Sequence, residues 1–246
     1  LRHSSAASDV YKRQDLTKES ELVYGTVDDF HPGVEYLLNQ SNQIYIGGPV
    51  KKITLPHHYD YKELRHDPDS LKEKFKDSGW SKIIAFQTRN PLHKAHVEMT
   101  LSALDELQAN LLIHPVVGMT KPGDVDHYTR VRCYKHVLAK YPENKAMLSL
   151  IPLAMRMAGP KEALWHAIIR KNYGCTHLIV GRDHAGPGKD KNGNPFYGPY
   201  DAQEMLQKFE QEIGIKMVPF KFLVYLPDED CCLLYTSPSP RDLMRS

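Results

Sequence analysis

Residues able to hold an anion crowd into one short stretch, Gln87-Thr88-Arg89-Asn90-Pro91-Leu92-His93-Lys94-Ala95-His96. Arg89 carries a planar guanidinium suited to bidentate contact with phosphate or sulfate. His93 and His96 are three apart, so on a helix both imidazoles project from one face of the first turns. The N–H groups of a helix start, at the positive end of its dipole, add a further anion site. An apolar run of buried-strand type, residues 82–86, precedes the stretch. Asn90 suits the helix N-cap and Pro91 the first helical position. Strand, polar turn and histidine-bearing helix start is an arrangement that holds a nucleotide's phosphates at the end of a parallel sheet. An H-x-x-H spacing alone is more often surface chemistry than catalysis, so the whole string carries the reading.

A second polar turn follows another apolar run: Leu178-Ile179-Val180-Gly181-Arg182-Asp183-His184-Ala185-Gly186-Pro187-Gly188. Gly181 permits close backbone approach, and the Gly186-Pro187-Gly188 turn is expected to leave N–H groups for anions. Arg182 supplies a second cation. The G-x-x-x-x-G-K-[ST] spacing of a Walker A loop is absent. Between the two turns, the segment from Val116 to Asp126 ends a strand and opens a helix. Asp126 is placed as N-cap, and Arg130 and Arg132 read as solvated basic residues of the first turns. Arg156, after a strand end, is expected to reach phosphates. Trp165 and Leu164 read as core, and His166 as a residue that packs or hydrogen-bonds on its own helix.

The strings Q-T-R-N-P-L-H-K-A-H and G-R-D-H-A-G-P-G, in register on one chain, resemble the active-site loops of the ATP sulfurylases (sulfate adenylyltransferases). These belong to the larger H-x-x-H nucleotidylyltransferase superfamily. The resemblance covers roughly residues 15–230. It implies catalytic roles for Thr88, Arg89 and Asn90, with His93 and His96 as transition-state stabilisers. It implies ATP contacts at Gln87, Thr88, Arg89, Asn90, Leu92, His93, His96, Gly181, Arg182, Asp183, His184 and Leu223. Sulfate would be met at Gln87, Arg89 and Ala185. ATP is then a substrate, Mg²⁺ is carried by its phosphates, and no protein metal ligand is implied. The resemblance also implies a homo-oligomer in the full-length protein.

The elements that must position these residues alternate. Strands are expected at 82–86, 111–117, 146–151, 177–180 and 216–225, and helices at 93–108, 126–141, 160–173 and 202–213. Near-continuous apolar strands joined by helical crossovers predict an α/β fold, a doubly wound parallel, Rossmann-like sheet. Ligands in such sheets lie beyond the carboxyl ends of the strands, where both motifs fall. Ahead of it, residues 15–79 mix extended pieces at 43–48 and 51–56 with helices at 32–38 and 69–77. That segment resembles the last part of a β-rich, PUA-like domain with its linker. His57-His58 reads as surface loop, because adjacent imidazoles on an extended chain point apart.

The resulting division is 15–79 for the PUA-like remnant and 80–230 for a C-terminally truncated nucleotidylyltransferase domain. The flanks 1–14 and 231–246 change texture abruptly and are expected to be non-native sequence. After Pro227-Asp228-Glu229-Asp230 the chain departs from the family, whose I-S-G-T-type segment closes the nucleotide site. The resemblance therefore implies a nucleotide site that lacks this closing segment.

Composition restricts the alternatives. With 246 residues, a formal net charge of +2 and 41% hydrophobic residues, the chain is ordinary globular material without a polyelectrolyte signature. Neither nucleic acid nor membrane binding is indicated. Cys133, Cys175, Cys231 and Cys232 show no C-x-x-C spacing, which points to a reducing, cytoplasmic setting. Two other function classes stay open: an H-x-x-H nucleotidylyltransferase acting on a phosphorylated organic acceptor, and a non-catalytic nucleotide- or RNA-binding fragment.

Overall fold

Alternation of buried side chains along each strand decides which helix lies on which face. In the computed structural model, which describes residues 11–13, 15–47, 49, 51, 54, 57–119, 123–220, 223–226 and 231–234, strand β3 is Ile83–Phe86. Successive side chains of a strand point to opposite faces. Ile83 and Ala85 accordingly join one apolar cluster, Ile84 and Phe86 another. The first cluster takes in Ala163 and Ala167 of helix α6 (Gly159–Asn172) and Ala202 and Leu206 of α7 (Asp201–Ile213). The second takes in Ala103 and Leu104 of α4 (Lys94–Leu107) and Val131 and Tyr134 of α5 (His127–Leu138). Helices thus cover both faces, as the continuous apolar strands predict.

The remaining core strands are β4 (Asn110–Ile113), β5 (Ala146–Leu148), β6 (His177–Val180) and β7 (Lys216–Pro219). All pairings are parallel, in the order β5-β4-β3-β6-β7. The order reverses between β3 and β6, with Ile84 opposite His177 and Ala85 opposite Leu178. This is the topological switch point of a doubly wound sheet. A bridge between Val116 and Ile151 extends the β4–β5 pairing towards the carboxyl edge, which is why both predicted strands overran their regular parts.

The predicted strand 216–225 is two elements. After β7 the chain forms β8 (Leu223–Leu226), which pairs antiparallel with β9 (Cys231–Leu234).

The N-terminal segment departs further from expectation. Leu16–Tyr24 is a helix, α1, which periodicity does reveal in hindsight: Leu16, Ser20 and Tyr24 are buried at four-residue spacing. Asp15 caps it through the Lys18 N–H, and Gly25 ends it in the left-handed conformation at φ 72°. The expected helix at 32–38 is α2 (Pro32–Glu35), running on into a π-helical turn, Tyr36–Gln40. The expected strand at 43–48 is β2 (Ile44–Ile46), paired antiparallel with β1 (Tyr11–Arg13). The expected strand at 51–56 falls largely outside the described residues, and Lys51 and Thr54 are in no strand. Helix α3 (Pro68–Asp77) forms as predicted, capped by Asp67, and its Leu71 and Phe75 join the first cluster. Among the described residues no helix is long and apolar enough to cross a membrane.

Candidate active site

At the switch point, above the carboxyl ends of β3 and β6, lies a cavity of about 440 Å³. Gln87, Thr88, Arg89, Asn90, His93 and His96 line it from the β3 side. Gly181, Arg182, Asp183, His184 and Ala185 line it from the β6 side. Both sequence motifs thus converge on one space, 94 residues apart in the chain counting from Gln87 to Gly181 (181 − 87).

The β3 turn is built differently from the sequence expectation. Asn90 does not cap the helix: α4 begins at Lys94 with His93 at the N-cap. The physical reason is local competition for hydrogen bonds. Thr88 Oγ1 accepts the Asn90 N–H at 3.0 Å and donates to the Asn90 carbonyl at 2.9 Å. The Tyr134 hydroxyl donates to the same carbonyl at 2.8 Å. Asn90 is therefore locked into a turn, and the N-cap falls three residues after Asn90, at His93, although the helix itself begins within one residue of the expected 93. The shift sets both histidines at the positive end of the helix dipole, and the His96 N–H is taken up by the His93 carbonyl at 2.9 Å.

His93 and His96 face each other with ring centroids 3.8 Å apart. The His93 backbone N–H points at His96 Nδ1 3.4 Å away. His96 also packs against Phe86 and Phe220, with centroids at 5.7 and 6.1 Å. Burial, reinforced by His93, pushes the His96 pKa down to about 4. At neutral pH His96 is an uncharged donor or acceptor rather than a cation.

Arg89 is paired with the carboxylate of Asp124. Asp124 lies just before α5, whose N-cap is Asp126 accepting from the Thr129 N–H at 2.9 Å. Arg130 is buried rather than solvated as expected. Its guanidinium donates to the Val116 carbonyl at 2.7 Å and to the Val125 carbonyl at 2.8 Å. Buried guanidinium groups persist where carbonyls satisfy them, and here the bonds fix the loop that presents Asp124.

The β6 turn is strained at two points. Asp183 and Ala185 both take the left-handed conformation, at φ 54° and 52°, which costs on the order of 1 kcal/mol for a residue with a Cβ. The Asp183 N–H donates to the Pro199 carbonyl at 2.8 Å, and the Ala185 carbonyl accepts from the Gly159 N–H at 3.1 Å. The expectation that the Gly-Pro-Gly turn leaves N–H groups for anions fails at Gly186, whose N–H closes on the Asp183 carbonyl at 3.0 Å. Gly181 is not crowded either: a Cβ there would meet Phe220 at an ordinary 3.8 Å. Arg182 Nε lies 3.2 Å from the Asp183 carboxylate, with its side chain 50% exposed.

Beneath the two turns sits a buried polar set. His166 does bond on its helix, with Nε2 3.2 Å from Glu162 Oε1. It also reaches Gln87 Nε2 at 3.3 Å and, through Nδ1, His184 Nε2 at 3.0 Å. Glu162 accepts the N–H groups of Arg156 and Ala158, both at 2.9 Å. Burial raises the Glu162 pKa against the pull of those amides. Burial lowers His166 well below its usual range and, with His166 beside it, pushes His184 down to about 3. Both imidazoles are neutral at physiological pH.

The remaining sequence-predicted residues are placed as follows. The Leu92 side chain is buried in the second apolar cluster and does not line the cavity. Arg156 turns away, towards Tyr24 of α1. Trp165 is 37% exposed rather than core, while Leu164 packs against the first cluster. Leu223 opens β8, and its side chain lies outside the described residues. The apolar lining, Met99, Met155, Ile179 and Phe220, had no motif to announce it.

Comparison with known proteins gives the family. A family model described as ATP-sulfurylase matches residues 62–242, and one described as a PUA-like domain matches residues 6–55. A sulfate adenylyltransferase of Gibberella zeae is 57% identical over 222 residues, covering 90% of this chain and 38% of that protein. A sulfate adenylyltransferase of Schizosaccharomyces pombe is 56% identical over 216 residues, covering 88% of this chain and 44% of that protein. Among solved structures, a hexameric APS kinase from Thiobacillus denitrificans superposes with a TM-score of 0.64 at 27% identity. That match covers 84% of this chain and 40% of the other. The chain spans about two-fifths of the length of these curated relatives. A match across most of the chain, carrying both motifs to one cavity at the switch point, places it in the ATP-sulfurylase family.

Proposed function

We propose that the cavity performs adenylyl transfer from ATP to sulfate, giving adenosine 5′-phosphosulfate and pyrophosphate, the first step of sulfate activation. The observation that carries the reading is the convergence of Gln87–Asn90, His93, His96 and Gly181–Ala185 around one cavity. A sulfate oxygen attacks the α-phosphorus, a new P–O bond forms, and the bond to the bridging oxygen of pyrophosphate breaks. Sulfate is already an anion, so no general base is required. What the site must supply is positioning of two anions and neutralisation of charge.

Arg89 holds sulfate, with Gln87 and the backbone of Ala185 as further contacts. Asp124 keeps the Arg89 guanidinium oriented. His93 and His96, at the head of α4, meet the phosphate oxygens as charge shifts to the leaving group. Thr88 and Asn90 hold the turn that aims Arg89. Gly181 to His184 bound the nucleotide on the other side, and Met99, Met155 and Phe220 give an apolar surface for the base. Among the described residues no group of three or more His, Cys, Asp or Glu side chains could hold a metal. The donor set suits a Mg²⁺ that arrives on the phosphates with its waters rather than one held in a protein cage.

The test is release of pyrophosphate dependent on both ATP and sulfate, with a phosphorylated organic acceptor offered in sulfate's place. Release with sulfate supports the reading. Release with the organic acceptor alone moves the chain to another H-x-x-H transferase activity.

A further inference from the structure

Helix α6 carries a polar stripe through the core. Glu162, His166 and Arg170 stand four apart on one face, and all three are buried. Each touches a segment that follows a different strand of the sheet. Glu162 holds the N–H groups of Arg156 and Ala158 after β5. His166 reaches Gln87 after β3 and His184 after β6. Arg170 donates to the carbonyl of His114 after β4, at 3.3 Å. A buried polar group costs on the order of 1–3 kcal/mol when unpaired, so these three set the geometry of what they touch.

The hydrogen-bond accounting fixes a direction through the stripe. Two backbone N–H groups hold Glu162 as a carboxylate, and a carboxylate can only accept from His166 Nε2. His166 Nε2 then carries the proton. Its Nδ1 is a bare acceptor, and the His184 nitrogen 3.0 Å away must donate. His184 is left with its proton on Nε2 and an unprotonated Nδ1. The Gln87 amide follows the same logic. With its nitrogen towards His166, its Oε1 is buried without a partner. Turned so that its oxygen faces His166, it shares the one Nε2–H with Glu162 Oε1 in a bifurcated bond, at 3.3 and 3.2 Å, and its NH₂ is left to donate elsewhere.

We propose that His166 is a positioning residue of the adenylyl-transfer site: anchored by Glu162, it turns the Gln87 amide to present N–H donors to the oxyanion and fixes His184 as the Nε2–H tautomer. This rests on the function proposed above, and it adds a division of labour. Gln87 becomes a sulfate donor. His184, whose remaining ring nitrogen is an acceptor, suits a hydroxyl or amino group of the nucleotide and disfavours a phosphate oxygen.

Two substitutions separate the arms of His166. His166→Asn keeps an acceptor near the Nδ1 position, and His166→Gln keeps a donor near the Nε2 position. In the intact protein, long-range ¹H–¹⁵N spectra of the histidine rings between pH 5.5 and 8 should show His184 as the Nε2–H tautomer throughout, and unchanged in His166→Asn. That variant should raise the KM for sulfate by about tenfold, the scale of one lost hydrogen bond, with the KM for ATP little changed. His166→Gln should do the reverse: a mixed His184 tautomer, a raised KM for ATP and a nearly unchanged KM for sulfate. An Nδ1–H tautomer at His184 in the unsubstituted protein overturns the proposal. So does an equal rise of both KM values in both variants, which a general packing defect would produce. If no pyrophosphate is released at all, the adenylyl-transfer reading fails, and the tautomer spectra still decide the role of His166.

Discussion

Two close histidine pairs stand at and beneath this cavity, and they are built in opposite ways. His93 and His96 are neighbours by helix geometry, three residues apart at the mouth of α4, with rings 3.8 Å apart at the cavity wall. His166 and His184 come from α6 and the β6 turn, with centroids 5.3 Å apart and one hydrogen bond of 3.0 Å. Among the described residues, the first pair is backed by the helix dipole and the aromatic packing of Phe86 and Phe220. The second is backed by a buried carboxylate. One pair is placed to meet charge as it develops; the other is placed to keep its neighbours still. A group that meets the transition state should affect kcat, and one that orients a ligand contact should affect KM.

The largest expected effect breaks or upholds this division directly. Replacing His93 by Ala should lower kcat about 100-fold or more, the scale seen for loss of one donor to a transition state. His166→Asn should leave kcat within about threefold while raising the sulfate KM by the single-bond scale. Steady-state pyrophosphate release in the intact protein measures both. Equal losses of kcat would mean that the two pairs do the same work.

Next in size is Arg89→Lys. Lysine keeps the charge but loses the planar fork that can serve Asp124 and a bound anion together. The sulfate KM should rise about tenfold, with a smaller change for ATP. An unchanged sulfate KM would remove Arg89 from the oxyanion side of the cavity.

A smaller effect separates the pairs by pH. His96 and His184 are held neutral in the folded chain, at about 4 and about 3, against 6.5 for an unperturbed imidazole. Between those values the unfolded chain binds more protons than the folded one, so stability falls as pH drops below 6.5 and is complete above it. The thermal midpoint should therefore decline from pH 6.5 towards 4. ATP should change one pair and spare the other. A polyanion beside His96 favours its charged form and should raise its titration midpoint, whereas His184, enclosed by His166, should not move. Ring chemical shifts with and without ATP show which occurs.

How much of this was legible beforehand follows the same contrast. The sheet, its crossovers and the cavity's location were readable because near-continuous apolar strands and helical periods repeat along the chain. The β3 and β6 turns were readable as motifs because their functional residues are contiguous. The N-cap of α4 was not, because Thr88 and Tyr134 hold Asn90 in a turn through bonds that no local preference reveals. The bond of His166 on its own helix was legible, but its further reach was not: its partners Gln87 and His184 lie 79 and 18 residues away. One signal was available. Glu162, His166 and Arg170 at four-residue spacing put a polar stripe on a helix whose Ala163 and Ala167 pack inward, and polar groups at buried positions are kept there by partners. Arg89's pairing with Asp124 is legible in neither motif, since it joins two loops 35 residues apart.

The smallest expected effect concerns the turn that joins the pairs. Ala185 follows His184, sits at φ 52°, and its carbonyl holds the Gly159 N–H at the start of α6. Glycine takes that backbone conformation without strain, which favours the folded chain by about 1 kcal/mol. It also gives the unfolded chain more freedom, which offsets about 0.4–1 kcal/mol of the gain. Ala185→Gly should therefore leave the unfolding free energy within about 0.5 kcal/mol of the parent, whereas Ala185→Val, β-branched at a left-handed position, should lose clearly more. Denaturant midpoints at constant slope measure both. The informative variant is the glycine one. If stability is preserved yet the His184 tautomer becomes mixed, the strained turn, and not His166 alone, holds the ring in place. If the tautomer is also preserved, the stripe on α6 is sufficient, and the strain at Ala185 serves the backbone contact with the oxyanion instead.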